Sequence, residues 1–526
     1  GGAVTGGLLP VMGGYCEAPW DQRITEIEPN TNYVFSHIRN DALIASDHHV
    51  DDTVTFNQDD FPYLTAELGG GLQVTGHRRP IATGTDIGAM SITKLGSGVG
   101  LLGYYMYHGG SNPNGKLSTL QESRAIGYAN DLPEINYDFN APIRQYGTIS
   151  DNYREIRLLA YFLQDFGADL AVLPADIDPD FVKPGDTHTL RVSVRHDDTH
   201  GYVFVNNYQR RLTMDDHKDV VLEGKTKVRF PKTDIASGEY AFYPYNMKLG
   251  EHFLVSALAT PLCKLTVDGE NVYVFYGDKD PQFTWGTTPA KVLMLTRKQA
   301  LSAARVSLKS SENQATQEYL IFSDNFVWEE DGKLTVVGGE KTEIRTFPKL
   351  EENVIPEGFV ESGVEGDLTI YTRDLTQSGS NTQGVTVTFS ESAQTSESLS
   401  GKLVNSCGKQ QALNGDEKIY EISVQYANAG KPLTGKERAD GYDSILTFDY
   451  ACDTMELYVD GRKINDYFYT GQKALLSLGY FDFPTKITAV LHPLHEGAHI
   501  YLQEWPKMEN GSACRIEAIE VDEQIL

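Results

Sequence analysis

The sequence predicts a multidomain chain: the C-terminal part of a (β/α)8 TIM barrel followed by β-sandwich and jelly-roll domains. Three observations lead there. The 526 residues are too many for one ordinary core, because domains typically hold roughly 100–200 residues. Three apolar runs in residues 1–170 end on glycines and deliver charged or aromatic side chains beyond them, as parallel barrel strands do at their C-terminal rim. From about residue 175 the pattern changes to period-two alternation broken by polar turns, the signature of antiparallel sheets. The expected units are 1–174, the partial barrel; 175–300, a β-sandwich; 301–425, a β-rich jelly-roll-like unit; and 426–526, a C-terminal jelly roll of the galactose-binding type.

The first run, Leu8 to Met12, leads into Gly13-Gly14-Tyr15-Cys16-Glu17-Ala18-Pro19-Trp20. Thr31 to Asn40 reads as a short helix. The second run is Tyr63 to Ala66, which meets Glu67 and then Gly69-Gly70-Gly71. A buried strand that ends on a carboxylate and then gives up side chains presents a reactive group with room for a bulky ligand. A structural alternative is pairing of Glu67 with Arg78 or Arg79. Residues 81–97 are helix-like, with Ile87, Met90, Ile92 and Leu95. The third run, Gly98 to Gly103, delivers Tyr104-Tyr105-Met106-Tyr107-His108. Asp151 to Phe166 is the clearest helix, its apolar residues at helical spacing and Gly167 as its stop. Three strands cannot close an eight-stranded barrel. The open edge therefore calls for cover by an upstream segment, a second copy of the chain or the later units.

In the second unit, 187–195, 201–207 and 225–231 alternate, with a polar turn at 215–219, and 272–277 and 292–295 continue the series. Thr376 to Gln383 and Ser390 to Ser400 read as exposed loops. In the last unit, 444–450 and 455–462 are strands, with Asp460-Gly461 as a hairpin turn. Strands at 489–491, 499–505 and 513–521 follow.

The formal charge of -28 and pI near 4.8 argue against nucleic acid and anionic membrane surfaces. No apolar run is long enough to span a membrane. The five cysteines are widely spaced and lack a Cys-x-x-Cys pair, which argues against a zinc site and leaves room for one disulfide among the last three. Neither His48-His49 nor the isolated histidines have metal-ligand spacing, and the glycines at 96–103 lack the Lys-Ser/Thr of a phosphate loop. No metal and no cofactor are expected. The start, Gly1-Gly2-Ala3-Val4-Thr5, has no signal-peptide pattern and reads as a processed end.

The expected rim gathers Glu67 with Tyr15, Trp20, Tyr104, Tyr107, His108, Asn112 and Tyr137. A carboxylate among aromatics and amide donors suits sugars, whose apolar ring faces stack while their hydroxyls need polar partners. Glu17, Glu122 and Asp138 are the nearby carboxylates that offer a partner for Glu67, either as proton donor or as hydroxyl ligand. Trp505 and Tyr469 are aromatic candidates for sugar binding in the last unit.

Three segments carry a resemblance: Tyr63-Leu64-Thr65-Ala66-Glu67-Leu68-Gly69-Gly70-Gly71, Gly103-Tyr104-Tyr105-Met106-Tyr107-His108-Gly109-Gly110 and Tyr137-Asp138-Phe139-Asn140-Ala141-Pro142. In this order they resemble signatures of the family-35 glycoside hydrolases, the β-galactosidases. Asn206-Asn207-Tyr208-Gln209-Arg210 with Asp216-His217-Lys218-Asp219-Val220 is similar to the sandwich after the barrel in bacterial members. The resemblance implies a retaining enzyme acting on terminal β-galactosides of oligo- or polysaccharides. It implies Glu67 as nucleophile at strand seven, Gly13-Gly14-Tyr15 near strand six, Tyr104 to His108 on strand eight and Tyr137 as a substrate-site tyrosine. The family's acid/base, in an Asn-Glu-Tyr type motif on strand four, has no counterpart here, and that strand is expected upstream of Gly1. The expected location is periplasmic or extracellular. The alternative is a catalytically inactive glycan-binding or structural remnant.

Overall fold

The computed structural model describes residues 11–39, 60–178, 182–309, 316–375, 384–399, 401–427 and 442–525. Strand β1 (Val11–Gly14) pairs in parallel with β2 (Leu64–Gly69), which pairs in parallel with β3 (Tyr104–Tyr105). Thr65 fixes the β2–β3 register: its hydroxyl accepts from the Gly103 amide (2.9 Å). Gly103 is required there, since a Cβ would lie 2.3 Å from the Thr65 carbonyl oxygen. The sheet stops at three strands, and no closed barrel forms among the described residues. The chain is mostly β-strand with few helices, so a helix-rich barrel is not what this sequence builds.

Two helices cover one side of this sheet. Helix α1 (Gly84–Gly96) starts at a capping box in which Thr83 and Asp86 exchange side-chain and backbone hydrogen bonds. Every residue of α1 except Thr85 is buried. Helix α2 (Asp151–Ala171) packs Ile156, Leu159 and Phe162 with Ile87 and Met90 of α1 and with Tyr202, Phe204 and Phe242 of the next sheet. Its opposite side sends Leu158 into a second core with Leu262, Leu265 and Leu320. Gly167 was expected to end α2 but lies inside it. A helical glycine costs about 1 kcal/mol, and burial of Leu170 at 1 % exposure outweighs that cost. The helix expected from Thr31 is a single 3-10 turn, Thr31–Tyr33, closed by the Asn30 cap, while Asn40 and His48-His49 lie outside the described residues. Arg195, on a strand of the antiparallel sheet that follows, ties both helices to that sheet: its guanidinium donates to Leu95 and Val99 at the end of α1 and to Leu170 and Leu173 at the end of α2. Burial pulls its pKa down to about 10, yet four carbonyls around two negative helix ends keep the charge favourable.

The region after α2 is largely antiparallel, but Val292–Leu295, expected to continue the series, pairs in parallel with Glu270–Tyr276. Six strands from Ala175–Ile177 to Thr284–Trp285 form one sheet. The alternation at 225–231 forms no strand, only an isolated bridge from Glu223 to Arg229, whereas His217–Val220, expected as a turn, pairs with Thr233–Ile235. A five-stranded sheet then runs from Ala303–Lys309 to Leu368–Asp374, flanked by the hairpin Val327–Glu330 and Lys333–Val336.

The C-terminal sandwich begins earlier than residue 426. Gly384–Glu391 pairs with Lys418–Ala427, which pairs in turn with Lys486–His492 in its five-stranded sheet, so a division at 425 would cut through that sheet. Ser390 and Glu391 are accordingly strand, and Ser396–Leu399 is one helical turn with Leu399 buried, rather than exposed loop. Residues 376–383 lie outside the described residues. Asp460 and Gly461 have φ of 49° and 77°, the left-handed pair of a tight hairpin turn. No disulfide joins the last three cysteines; all five are free thiols. No described helix is long and apolar enough to cross a membrane.

A buried charge cluster joins the sandwich to the first unit. Lys463 Nζ lies 2.6 Å from Glu456 and 3.0 Å from Glu134, and is 4 % exposed. Lys463→Met should remove the cation shared by two buried carboxylates and cost about 3–5 kcal/mol, read from urea denaturation; a loss below about 1 kcal/mol would show the cluster to be superficial. Burial opposes the charge on Glu456, but His492, Lys463 and Tyr458 hold its carboxyl down at about 2. A lowered carboxylate stabilises above its unfolded value of about 4.3, and that contribution is lost as pH falls towards 2. The Glu456→Gln variant should therefore show a shallower fall in stability from about pH 5 to pH 3 than the parent; parallel curves would rule this out.

Candidate active site

Glu67 sits near the C-terminal end of β2, the central strand of the parallel sheet. The register slips between Met12 and Gly13 of β1, so that Met12 faces Thr65 and Gly13 faces Glu67. Arg78 is taken by Glu17 (2.9 Å) and Arg79 by Asp453 (2.5 Å). The two arginines expected as structural partners of Glu67 thus serve other carboxylates.

Tyr15 and Trp20 stand together on the β1 side. Their rings meet edge to face at 5.1 Å, and the Tyr15 ring lies over Gly69, where a Cβ would come within 2.8 Å of it. The side-chain amides of Asn30 and Asn32 both donate to the Tyr15 carbonyl. Beneath this loop the Glu17 carboxylate is 3 % exposed and lies between Arg78 and Arg211, each at 2.9 Å. Arg78 also stacks on the ring of Tyr501 from the C-terminal sandwich. A carboxylate so engaged holds the loop.

On the β3 side the ring that meets Tyr137 is Tyr105 rather than Tyr104. Neighbouring strand residues point to opposite faces. Tyr104 turns to the helix layer, where its hydroxyl bonds Ser91 of α1 (3.0 Å). Tyr105 instead meets the hydroxyl of Tyr137 at 2.7 Å. Phe139 closes this group, 4.7 Å from the Tyr137 ring and 5.8 Å from the Tyr105 ring. The turn at Phe139 and Asn140 has positive φ at both residues. Gly71 fits beneath it, since a Cβ there would meet the Phe139 carbonyl oxygen at 2.2 Å. Burial pushes the Tyr137 phenol up, reinforced by the bond to Tyr105 and by the charges of Glu122 and Glu67. Burial thus disfavours the ionised phenol, and the Tyr137 hydroxyl is shared with that of Tyr105.

The other expected residues are spread more widely. Tyr107 is 40 % exposed; partial burial raises its phenol, with smaller effects from Tyr153 and Arg157. His108 is exposed, with Nδ1 against the Gly109 carbonyl. Asn112 donates its amide to the Glu134 carbonyl (3.2 Å), a loop-building contact. Asp138 receives Arg144 at 2.5 Å and the amides of Asn140 and Gln145, so it too is structural. Of the three carboxylates considered as partners for Glu67, only Glu122 is exposed. Among the described residues, no group of three or more His, Cys, Asp or Glu side chains could hold a metal ion.

The loop that carries Tyr137 is positioned from outside its own unit. Asp466 of the C-terminal sandwich accepts from the amides of Glu134 (2.6 Å), Ile135 (2.8 Å) and Asn136 (3.3 Å). Asn465 donates to Gln145 and Tyr146. No sequence signal linked residues so far apart, whereas Tyr105 and Phe139 were within reach of the strand alternation and the motif after it.

No protein-family model matches the chain. No curated protein matches it either.

Asp466→Ala should free the amides of residues 134–136, and their hydrogen exchange should quicken by about tenfold or more. Unchanged protection by mass spectrometry would mean that the loop holds itself.

Proposed function

We propose that this chain carries the nucleophile half of a retaining glycoside hydrolase site of the β-galactosidase type, and that its parallel sheet corresponds to strands six to eight of a family-35-like barrel. One observation supports this most: a glutamate near the end of the central strand of three neighbouring parallel strands, with Tyr15 and Trp20 meeting edge to face on the loop after the first of them. The substrate class is a terminal β-galactoside of an oligo- or polysaccharide, met outside the cytoplasm.

In this reading the Glu67 carboxylate attacks the anomeric carbon and the glycosidic bond breaks towards the leaving oxygen, which takes a proton from a general acid. Water then displaces Glu67 from the glycosyl-enzyme, giving up its proton to the same acid in its basic form. Tyr137 donates to a sugar or carboxylate oxygen, and Tyr15 with Trp20 offers the apolar wall. Glu17 and Asp138 are committed to arginines and the exposed Glu122 stands in no Asn-Glu-Tyr motif, so the reading takes the acid/base from a glutamate outside the described residues. A non-catalytic role is the alternative, favoured by the three-stranded sheet that no described strand closes.

The deciding experiment uses a 2-deoxy-2-fluoro-galactoside with a very good leaving group, which needs little acid assistance. A single galactosyl adduct on the peptide bearing Glu67, absent in Glu67→Gln and retained in Glu122→Gln, is expected in intact and peptide mass spectra. No adduct on the folded protein would refute the nucleophile assignment and leave the binding role.

A further inference from the structure

Two of the five free thiols meet in the C-terminal sandwich. Its strands Tyr442–Ala451 and Arg515–Ile525 run antiparallel, and their register ends on Ala451 opposite Arg515. One step further come Cys452 and Cys514, each the next residue beyond its strand. Both are fixed to the same third strand, Lys486–His492. The Asp453 amide donates to the His492 carbonyl (2.8 Å), and the Cys514 thiol donates to the Leu491 carbonyl (3.4 Å). Both side chains pack in the core between the two sheets, Cys452 fully buried and Cys514 partly exposed. Burial pushes the Cys452 thiol up, and the nearby Cys514 adds to that rise. Residues opposed in an antiparallel pair share a face, with Cα atoms roughly 4.5–5.5 Å apart. That separation falls within the span of about 4.4–6.8 Å that a disulfide bridges.

The segment between these two cysteines carries the sandwich's grip on the first unit. Asp453, next to Cys452, takes Arg79. Lys463 reaches Glu134, and Asp466 accepts the amides of residues 134–136. The Tyr501 amide donates to the His77 carbonyl (2.8 Å), and the Gln503 side-chain oxygen accepts from the Ile81 amide (3.0 Å) and from Arg210 (2.9 Å). The other thiols are placed differently. Cys16 and Cys263 are buried in two other cores, and the Cys407 thiol bonds the Asn405 side chain (3.2 Å).

We propose that Cys452 and Cys514 are a reversible disulfide site, a clasp that closes in the presence of a disulfide oxidant around the segment that holds the first unit. The partly exposed Cys514 reacts first. Its thiolate attacks one sulfur of the oxidant, forms a mixed disulfide and expels one thiolate. Cys452, on losing its proton, attacks the Cys514 sulfur and expels the second thiolate. Two protein thiols thus lose two electrons and two protons, and the oxidant is reduced to two thiols. Cys452 needs no path to solvent, because the activated sulfur is brought to it. The clasp closes a loop of about 60 residues, and a long closed loop restricts the unfolded chain more than a short one. It ties Asp453, Lys463, Asp466, Tyr501 and Gln503 into one ring. The proposal does not depend on Glu67 being a nucleophile.

The test reduces the full chain and then equilibrates it with oxidised glutathione near the thiol range, at about pH 8. Acid quenching, alkylation with N-ethylmaleimide in denaturant and peptide mass spectrometry follow. One cross-linked pair is expected, joining the peptides of Cys452 and Cys514 and released by dithiothreitol, with Cys16, Cys263 and Cys407 alkylated. Cys452→Ala should leave Cys514 as the glutathione mixed disulfide, and Cys514→Ser should leave Cys452 a free thiol. In hydrogen exchange, oxidation of the parent should slow the amides of Tyr442–Ala451 by about a hundredfold and leave those of Cys514→Ser unchanged. The parent alone suffices to overturn the proposal, so neither variant's folding decides it. It fails if the folded, fully oxidised parent shows no Cys452–Cys514 link, if a bridge forms through Cys407 instead, or if glutathione stays on Cys514. Unchanged exchange in a cross-linked parent would equally refute the clasp.

Discussion

The rim of the first unit depends on the buried charges of one strand in the last. Lys463 and Asp466, both on Arg462–Phe468, reach across to Glu134 and to the amides of residues 134–136. The two contacts are complementary. Asp466 satisfies backbone donors that would otherwise be buried without partners, and Lys463 balances the carboxylates of Glu134 and Glu456. Burial raises the Asp466 carboxyl, with Lys463 and the Ile135 and Glu134 amides working against that rise. Removing any one member strands the others in a medium where an unpaired charge is expensive. Tyr137 follows directly on this clamp, so its position beside Tyr105 is set by a domain hundreds of residues downstream.

The same logic recurs on the other side of the site. The loop bearing Tyr15 and Trp20 is anchored through Glu17, whose arginines are Arg78 from the first unit and Arg211 from the second. Asp86, at the start of α1, takes Tyr208 and Arg210 of the second unit at 2.7 Å each. Its place in the first turn also suits the helix dipole. The motif Asn206 to Arg210 thus reads as an anchoring device: it grips α1 and the loop after β1, and it keeps α1 between the parallel sheet and the antiparallel one. Three parallel strands and two helices would be a poor core alone; with these bonds they are one wall of a larger structure.

The aromatic side chains of the first unit are held in pairs. Tyr15 and Trp20 meet edge to face at 5.1 Å, and the Tyr105 and Tyr137 hydroxyls lie 2.7 Å apart with Phe139 against both rings. The acidic character of the whole chain, -28, suits neutral ligands better than anions.

The sequence by itself determined what local pattern can carry. The runs ending at Gly13, Glu67 and Tyr105 announced parallel strands, because buried parallel strands are apolar throughout and end at functional loops. Period-two alternation announced the sandwiches, and Asp-Gly the turn at Asp460. The aromatic and acidic character of the rim was legible for the same reason, since residue types do not change on folding. What the tertiary structure decided was direction and partnership. Tyr104 and Tyr105 look equivalent in sequence, and only the pairing of Leu68 with Tyr104 shows which ring faces the helices. Glu17, Glu122 and Asp138 look like equal candidates, and only the arginines around two of them remove these from contention. Gly167 reads as a helix stop until Leu170 is seen to be buried. Strands Gly384–Glu391 and Lys418–Ala427 read as a separate unit until Lys486–His492 pairs with the second of them. Each of these outcomes rests on contacts between residues distant in sequence, whose energies exceed local propensity and leave no local trace.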